Sequence, residues 1–376
     1  MKILNARLSN FRNHAETEFN FGSHMNVLLG ENGMGKTNTL EALSFLCLTK
    51  SFYASTDGTV LQRGKTFFEI ESTIQSDTGK ELRVRVAYDD QQKKKKFTIN
   101  SADTEKFSSV IGMFPVVILS PENNSITFGS PADRRKFIDL VISQSSTAYV
   151  EDMVEYRRIL RQRNKILTEA RGKDCAADLL PWNEMLVKYG ARIIHKRNMF
   201  LQEFAPYIAQ TYSHIVDERE TPKIEYAPTV KVSGDLSLEN IIAALETKLQ
   251  KKKNDELRFQ TTLVGPHRDE IIFSLNGMLL KHYASQGQHK TFLVALKAAE
   301  FFYLKERCSD TPVFLLDDVF SELDEQRSGK LFSIVESLGQ TFITTTSDKM
   351  FGGAEWNSHR RKFIIRNGTV AQEATA

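Results

Sequence analysis

A glycine-rich segment, GENGMGKT at Gly30–Thr37, is the feature that most constrains how this 376-residue chain can fold. It follows a short apolar run, MNVLLG (Met25–Gly30), and precedes TNTLEALSFLCL (Thr37–Leu48), whose leucines recur close to helical spacing. Strand, loop and helix in this order are the context in which the pattern GxxxxGK[ST] binds phosphate. The sequence therefore predicts an α/β domain with a phosphate-binding loop. A glycine turn that carries an exposed lysine is the structural alternative.

Each residue type in this loop has a chemical purpose. Gly30, Gly33 and Gly35 permit tight turns with positive φ, so that successive backbone N–H groups converge on phosphate at the start of a helix. We expect Lys36 to bridge the β- and γ-phosphates of ATP and Thr37 to ligate Mg²⁺. The predicted ATP-binding residues of this segment are Gly30, Glu31, Asn32, Gly33, Met34, Gly35, Lys36, Thr37 and Asn38.

A second apolar run, VFLLDD at Val313–Asp318, ends in two aspartates. The pattern is typical of a buried strand that delivers carboxylates to one edge of a sheet, although aspartates in this position also cap strands. We expect Asp317 to hold hydrated Mg²⁺ and Asp318 to polarise the attacking water. Asp318, Asp317 and Lys36 are thus the predicted catalytic residues, and Thr37 and Asp317 are the predicted metal ligands.

The long separation of Lys36 from Asp317 predicts a large insertion between the two halves of the site, as in ABC-type ATPase heads. Heads of this type also need a serine-glycine segment at the start of a helix that reaches the γ-phosphate held by a second subunit. The segment YASQGQHKTFLVALKAAEFF (Tyr283–Phe302) supplies one, because its serine can cap a helix and its glycine admits phosphate. A capped helix without a ligand is the alternative. The residues predicted to contact ATP here are Ser285, Gln286, Gly287 and Gln288.

The charge balance, 50 Lys and Arg against 47 Asp and Glu, does not by itself identify a polyanionic partner. The distribution of the basic residues is more informative. Each basic cluster is either a solvated face or a contact with nucleic acid. The clusters are Lys93–Lys96, Arg134–Lys136, Lys251–Lys253 and the set Arg157, Arg158, Arg161, Arg163 and Lys165.

The sequence predicts a cytoplasmic protein without membrane association. No stretch reaches the roughly 18 consecutive apolar residues of a membrane span, and the first residues lack the apolar core of a secretion signal. The cysteines Cys47, Cys175 and Cys308 are far apart and odd in number. They suit a reducing compartment and fit neither a disulfide framework nor a zinc site.

The pattern of the chain changes twice. The runs TFFEIESTI, ELRVRVAYDD and KKFTIN predict antiparallel strands, and the later runs VFLLDD and TFITTTS predict buried strands between helices. Between them lie two long helical stripes, separated by RGKDCAADLLPW, which predict two antiparallel helices. We expect an ATPase head formed by residues 1–130 and 255–376, with a helical arm domain at 131–254.

These segments together resemble the RecF family, whose members are relatives of the SMC and ABC ATPase heads. The likeness runs nearly end to end, and GPHRD with SQGQ is far more specific than the phosphate loop. It implies an α/β fold, namely an ABC/SMC-type P-loop ATPase head with an inserted, mainly helical arm and no long coiled coil. The segments that carry it are LSNFRNH (Leu8–His14), GENGMGKTNTLEAL, SPENNSITFGSPADRRKFID (Ser120–Asp139), LVGPHRDEI (Leu263–Ile271), YASQGQ and LLDDVFSELD.

The resemblance also implies a function. Proteins of this family are weak ATPases of DNA replication, DNA repair and the SOS response to DNA damage. It implies an ATP-dependent homodimer that binds duplex DNA beside single-stranded gaps, without sequence preference, and that assists RecO and RecR in loading RecA. In this hypothesis each ATP is held by Gly30–Thr37 of one copy and by Ser285–Gln288 of the other, and hydrolysis releases the clamp.

Several further residues are matched to the family pattern less closely. Arg12 is a predicted ATP contact, with a surface arginine as the alternative. SELD at Ser321–Asp324 resembles the loop that crosses the dimer interface, which adds Asp324 to the predicted ATP contacts. The remaining assignments are Glu122 or Asn123 in place of a γ-phosphate-sensing glutamine, Thr345 or Thr346 in place of a switch histidine, and His267 and Arg268 either at the site or bracing a turn.

Three other functions share parts of this pattern. A transporter ATPase would use the same phosphate chemistry, but the helical insertion and the lack of an LSGGQ segment disfavour it. A small-molecule phosphotransferase would transfer phosphate to an acceptor instead of releasing it. A nucleotide-binding scaffold would bind ATP without hydrolysing it.

Overall fold

A computed structural model describes residues 1–216, 220–232, 234–320, 325–347, 349–351 and 356–374. By internal contacts the chain forms two compact units. The head unit contains the described residues of 1–124, 211–217 and 286–376, and the arm unit contains those of 125–210 and 218–285.

The strands and α-helices of the described residues are numbered in chain order. The strands are β1 (Lys2–Ile3), β2 (Asn5–Phe11), β3 (His14–Asn20), β4 (Met25–Leu29), β5 (Phe67–Gln75), β6 (Glu81–Asp89), β7 (Lys94–Ile99), β8 (Ala102–Asp103), β9 (Val116–Leu119), β10 (Pro222–Ala227), β11 (Glu270–Leu275), β12 (Met278–Leu279), β13 (Val313–Asp317), β14 (Thr341–Thr345), β15 (Arg360–Arg366) and β16 (Thr369–Ala374). The α-helices are α1 (Lys36–Leu48), α2 (Asn124–Phe128), α3 (Pro131–Ser145), α4 (Thr147–Ala170), α5 (Ala176–Ile215), α6 (Leu238–Phe259), α7 (Leu280–Tyr283), α8 (Gln286–Arg307) and α9 (Glu325–Ser337).

The central sheet of the head unit has six strands in the order β16-β15-β4-β14-β13-β9. All neighbours run parallel except β16, which pairs with β15 in the antiparallel sense. The middle strands β13 and β14 are buried along their whole length, which explains their continuous apolar sequences. Parallel strands end at a common edge, so the loops after β4, β13 and β14 meet there.

A second sheet of the head unit has seven strands and includes the antiparallel order β3-β2-β5-β6-β7-β8. The pairing of β5 with β6 and of β6 with β7 confirms the antiparallel strands predicted from alternating residues. Helix α1 contacts strands of both sheets and is buried on nearly every side. Its Phe45 ring packs edge-on against Phe11 and Phe68, so the helix that follows the glycine loop is anchored in the core.

The four consecutive lysines at 93–96 do not form a uniform charged surface. Lys95 points inward, where its Nζ donates to the Thr49 carbonyl at 2.7 Å and pairs with Asp57 Oδ2 at 2.8 Å. Lys93 pairs with Asp90, while Lys94 and Lys96 are exposed on the other face of β7. This cluster is therefore partly structural.

The arm unit contains the predicted pair of antiparallel helices, α4 and residues 176–210 of α5. Asp152 faces Arg192 at 3.3 Å and Arg158 lies over the Trp182 ring, contacts that require the two helices to run in opposite directions. The predicted break, RGKDCAADLLPW, is too long, because α5 already begins at Ala176. Cys175 and Leu179 are buried against Leu167, and this packing keeps the segment helical.

The units defined by contacts do not coincide with the domain boundaries drawn from the sequence. The arm unit continues to residue 285 and so contains residues that the sequence analysis assigned to the head. Strand β10 pairs with β11 along its whole length, from Pro222 to Ala227. This pairing joins distant segments and is not indicated by the local sequence pattern. The domain boundaries remain a proposal.

A buried ion pair holds three segments of the arm unit together. Arg163 Nη2 donates to Glu256 Oε2 at 2.6 Å, and Arg163 also donates to Asn183 Oδ1 and to Thr262 Oγ1. Glu256 accepts a further hydrogen bond from the Leu263 backbone N–H. Both charged side chains are almost completely removed from solvent, so each depends on the other for compensation.

Removing one partner of this pair should destabilise the protein. Glu256→Ala leaves the Arg163 charge buried and uncompensated, so we expect the free energy of unfolding to fall by about 3–5 kcal/mol. Urea denaturation followed by circular dichroism measures this. The control is Glu246→Ala, an exposed residue of the same helix, for which we expect a change below about 0.5 kcal/mol. Equal stability of the two variants would contradict the role of the pair.

Among the helices of the described residues, none has the length and apolar character needed to cross a membrane. Cys47 and Cys175 are buried and Cys308 is half-buried, and none of them is in a disulfide. Burial raises the pKa of the Cys47 thiol to about 12 and that of Cys308 to about 11, so both stay protonated.

Candidate nucleotide-binding site

The glycine loop connects the end of β4 to the start of α1, as the sequence predicts. Gly35 immediately precedes the helix with φ of 110°, in a backbone region that residues with a Cβ seldom adopt. A Cβ on Gly30 would lie 2.5 Å from the Ile365 carbonyl oxygen. Both glycines are therefore required by the backbone, and the loop offers its N–H groups at a helix N-terminus.

Lys36 is held inside the loop by two backbone carbonyls. Its Nζ donates to the Gly30 oxygen at 2.6 Å and to the Glu31 oxygen at 2.8 Å. Burial lowers the pKa of Lys36, and the negative charges of Asp318 and Asp317 oppose that shift. The ammonium group is thus positioned at the mouth of the loop with the two aspartates nearby.

The two halves of the predicted site meet through a hydrogen bond between side chains that are distant in sequence. Thr37 Oγ1 donates to Asp317 Oδ1 at 2.7 Å. A hydroxyl and a carboxylate this close are hard oxygen donors of the kind that Mg²⁺ prefers, so the pair fits the predicted metal ligands. Burial raises the pKa of Asp317, as does Asp318, whereas hydrogen bonds from Thr37 and Thr344 and the charge of Lys36 lower it.

Thr344, at the end of β14, is a site residue that sequence reasoning missed. Its Oγ1 donates to Asp317 Oδ1 at 2.8 Å and accepts from the Asp318 N–H at 2.9 Å. Asp318 has φ of 49°, a left-handed conformation that is uncommon outside glycine. The Thr344 hydroxyl therefore joins the two aspartates and stabilises the backbone turn that directs Asp318.

Sequence reasoning assigned the switch position to Thr345 or Thr346. Thr345 is engaged in a local turn, where its hydroxyl donates to the Ser347 carbonyl at 2.8 Å, and Thr346 is exposed. Parallel pairing of β13 with β14 sets Thr344 directly opposite Asp317, which explains why this threonine makes the contact. Register between strands cannot be obtained from either strand's sequence separately.

The turn between β2 and β3, within LSNFRNH, supports the glycine loop from one side. Asn13 Nδ2 donates to the Met34 carbonyl at 3.1 Å and Asn13 Oδ1 accepts from Asn38 Nδ2 at 2.7 Å. His14 is buried beside the carbonyls of Gly35 and Gly368, and burial lowers its pKa. The motif thus fixes the shape of the loop, a role that its sequence does not indicate.

Arg12, a predicted ATP contact, is held by a carboxylate of α1. Its Nε and Nη2 donate to the two Glu41 oxygens at 2.8 Å and 2.9 Å, and its Nη1 donates to the Thr59 carbonyl. The hydrogen bond to Glu41 raises the pKa of Arg12. A contact between Arg12 and nucleotide stays a prediction.

The loop after β9 contributes to a small cavity beside Asp317. Asn123 Oδ1 accepts from the Ser120 N–H at 3.0 Å and so caps a short 3-10 turn, while Glu122 is exposed. The next residue, Asn124, lines the cavity, of about 20 Å³, together with Lys290 and Asp317. The γ-phosphate-sensing role of Glu122 or Asn123 stays a prediction.

The serine-glycine segment lies at the start of α8. Ser285 immediately precedes the helix and is exposed, as is Gln286, and Gly287 and Gln288 are half-buried in the first turn. This is the local geometry that the trans contact requires, and the contact itself remains a prediction. Asp324 and the rest of SELD fall outside the described residues.

Fold and site together define a P-loop ATPase head of the ABC/SMC type, interrupted by an arm. The family model for the RecF/RecN/SMC N terminal domain matches residues 2–367. The DNA replication and repair protein RecF of Chloroherpeton thalassium is 42% identical over 97% of this chain and 100% of that protein. The same protein of Salinibacter ruber is 40% identical over 97% of this chain and 90% of its own length. The chain therefore belongs to the RecF family.

Solved structures agree with this assignment. The recombination mediator protein RecF-ATP in the RecFOR pathway has a TM-score of 0.91 at 30% identity and covers 100% of this chain and 98% of that chain. The corresponding RecF-ATPrS structure has a TM-score of 0.89, also at 30% identity, and covers 98% of this chain and 97% of that chain. An SMC head bound to the C-winged helix domain of ScpA has a TM-score of 0.58 at 11% identity, which shows shared fold alone. The predicted fold class is confirmed.

The Thr344 hydroxyl gives a prediction specific to this site. Thr344→Val keeps the shape of the side chain but leaves the Asp318 N–H without its acceptor and Asp317 without one donor. We expect ATP binding to be nearly unchanged and hydrolysis to slow by about tenfold or more, since one such unmade hydrogen bond costs about 1–3 kcal/mol. Single-turnover hydrolysis measures this. Thr344→Ser, which retains the hydroxyl, should recover most of the rate, and wild-type hydrolysis by the valine variant would contradict the role.

Proposed function

We propose that this protein is an ATP-dependent DNA-binding protein of replication and recombinational repair, a weak ATPase that acts as a switch. The observation that carries the proposal is the hydrogen bond between Thr37 and Asp317 beside the glycine loop, which brings together two residues that we propose as ligands of Mg²⁺. The likeness to RecF proteins over nearly the full chain supports the role in repair.

In this proposal the glycine loop binds the phosphates of ATP. Lys36 lies between the β- and γ-phosphates and compensates their charge, and Thr37 with Asp317 holds Mg²⁺. The metal, when bound, neutralises charge on the phosphate oxygens. Asp318 orients and polarises the attacking water, and its carboxylate is directed by the turn that Thr344 stabilises.

Each ATP has two binding surfaces in this proposal. One is the glycine loop of one copy, and the other is the start of α8, Ser285–Gln288, in a second copy. Exposed Ser285 and Gln286 and the glycine beside them are suited to approach a γ-phosphate, since they lie at a helix N-terminus. ATP thereby holds a homodimer together, and its hydrolysis removes the contact and opens the clamp.

The dimer binds duplex DNA beside single-stranded gaps, through contacts that are mostly to phosphate and so independent of sequence. It acts in the cytoplasm with RecO and RecR and assists the loading of RecA. Membership of the RecF family supports these partners, as does the RecFOR pathway named for its structural relatives.

Loss of the Lys36 ammonium group tests the nucleotide site. We expect Lys36→Met to weaken ATP binding by about tenfold to a hundredfold or more, because a charged hydrogen bond contributes about 1.5–3 kcal/mol. Titration with a fluorescent ATP analogue measures the affinity. Lys65→Met, which changes an exposed lysine of the same unit, is the matched control and should bind as the wild type does. Equal affinity of the two variants would contradict the proposed site.

A large side chain at the start of α8 tests the dimer. Ser285→Arg should leave ATP binding by the glycine loop intact and prevent dimerisation, because the guanidinium group occupies the space of the facing phosphate. Sedimentation velocity with and without ATP, in the presence of gapped duplex DNA, measures the state of association. Gln202→Arg adds the same charge at an exposed position of α5 and should still dimerise. ATP-dependent dimers of Ser285→Arg would show that the segment does not face a second nucleotide.

A further inference from the structure

The GPHRD loop, Gly265–Asp269, is a sequence motif that has no role in the nucleotide chemistry proposed above. It lies in the arm unit between α6 and β11. Gly265 has φ of 129°, and a Cβ there would lie 2.3 Å from the Tyr156 hydroxyl, so only glycine fits. The loop also receives Arg197, whose Nη1 donates to the Pro266 carbonyl at 2.7 Å. Its backbone is held in one conformation from several sides.

His267 is a further rigid part of this loop. Its Nδ1 lies 2.7 Å from the Tyr156 hydroxyl and its Nε2 lies 3.1 Å from the Thr262 carbonyl. Burial, together with the charges of Arg268 and Arg135, lowers the pKa of His267 to about 4. A neutral imidazole donates from Nε2 to the carbonyl and accepts from the tyrosine at Nδ1. His267 therefore braces the turn, which was one of the two roles that the sequence left open.

The carboxylates around the loop are already engaged. Asp269 is fully buried and accepts from the Tyr226 hydroxyl and from the N–H and hydroxyl of Thr229. Three other carboxylates each pair with one arginine of the arm unit. These pairs are Arg134 with Glu270, Arg163 with Glu256 and Arg197 with Asp139.

Two arginines at the loop differ from these three, because each bonds to a backbone carbonyl and to no carboxylate. Arg135 Nη1 donates to the Asp269 carbonyl at 2.5 Å, and Arg268 Nη2 donates to the Thr262 carbonyl at 3.2 Å. Within the described residues neither guanidinium forms an ion pair with a carboxylate. Arg135 is half-buried, and burial together with the charge of Arg197 lowers its pKa, whereas the charges of Asp269, Glu270 and Asp139 oppose that shift. Within the described residues its guanidinium thus has a hydrogen bond to a backbone carbonyl and none to a carboxylate.

Both guanidinium groups donate to backbone carbonyls in or beside the loop. Arg135 reaches the carbonyl of the residue next to Arg268, and Arg268 reaches the carbonyl that His267 also contacts. The charges of both arginines act on His267 and lower its pKa. A fixed loop with one exposed and one half-buried guanidinium presents planar donors to an anion, the geometry that arginine offers to phosphate oxygens.

We propose that Arg135 and Arg268 form a phosphate-binding site on the arm unit, with the GPHRD loop as its rigid support. The phosphate belongs either to the backbone of duplex DNA or to a nucleotide, since both present the same oxygens. The proposal rests on the proposed function for these two ligands, but the site itself follows from two arginines that bond to backbone carbonyls and form no ion pair within the described residues.

Arg268→Gln, which removes the exposed charge and keeps a polar side chain, tests the site. If the phosphate is that of DNA, the slope of log K against log salt concentration becomes shallower by about 0.9, the value for one lost contact with B-DNA. If the phosphate is that of a nucleotide, affinity for a fluorescent ATP analogue falls instead. Fluorescence anisotropy with duplex DNA measures the first effect, and titration with the analogue measures the second.

The matched control is Arg171→Gln, another exposed arginine of the arm unit that forms no ion pair within the described residues. We expect its salt slope and its nucleotide affinity to equal those of the wild type. Arg268→Lys should retain part of the binding, because it keeps the charge and loses the planar fork. If Arg268→Gln has the same salt slope and the same nucleotide affinity as Arg171→Gln, the proposal is overturned.

A second measurement on the wild-type chain separates the site from the wider function. Phenylglyoxal modifies accessible arginines, and mass spectrometry reports the extent at Arg268 and at Arg171. Inorganic phosphate should protect Arg268 and leave Arg171 reactive. If the wild type binds neither DNA nor ATP, the proposed function fails, while this protection still supports the site. Absence of protection of Arg268 by inorganic phosphate, by duplex DNA and by ATP would overturn the site, whatever happens to the function.

Discussion

The hydrogen bond from Thr37 to Asp317 is the contact on which the nucleotide site depends. It joins the first turn of α1 to the end of β13, residues separated by 280 positions in the sequence. The bond is possible because β4, β14 and β13 are parallel neighbours and end at one edge of the sheet. Everything else at the site is arranged around this edge, including the carbonyls that hold Lys36 and the turn that carries Asp318.

Burial gives the site its chemical character. The apolar strands exclude water from Asp317, which raises its pKa, and the threonine hydroxyls and Lys36 oppose that shift. For Lys36 the directions are reversed: burial lowers its pKa, and the negative charges of the aspartates raise it. Lys36 and the two aspartates carry opposite charges and stabilise one another at a poorly solvated edge of the sheet. Such an edge suits a site for a highly charged ligand. The arm unit follows the same rule, since its buried Arg163 is compensated by Glu256.

Local patterns in the sequence predicted β4, β5–β7, β13, β14, α1 and the glycine loop correctly, because these depend on periodicity and on the backbone freedom of glycine. They did not predict the true start of α5, where burial of Leu179 against Leu167 keeps the chain helical beside a proline. Nor did they predict the extent of the arm unit, which follows from the pairing of β10 with β11. Both differences concern contacts between distant segments.

The sequence by itself determined that this chain carries a phosphate loop, a strand ending in two aspartates, and an insertion between them, since each is written in consecutive residues. Only the tertiary structure decided that Thr344 joins the aspartates, that Asn13 supports the loop and that Arg12 is held by Glu41. The physical reason is that a hydrogen bond needs its two atoms about 3 Å apart, and strand register and helix packing, which set that distance, are properties of the whole fold.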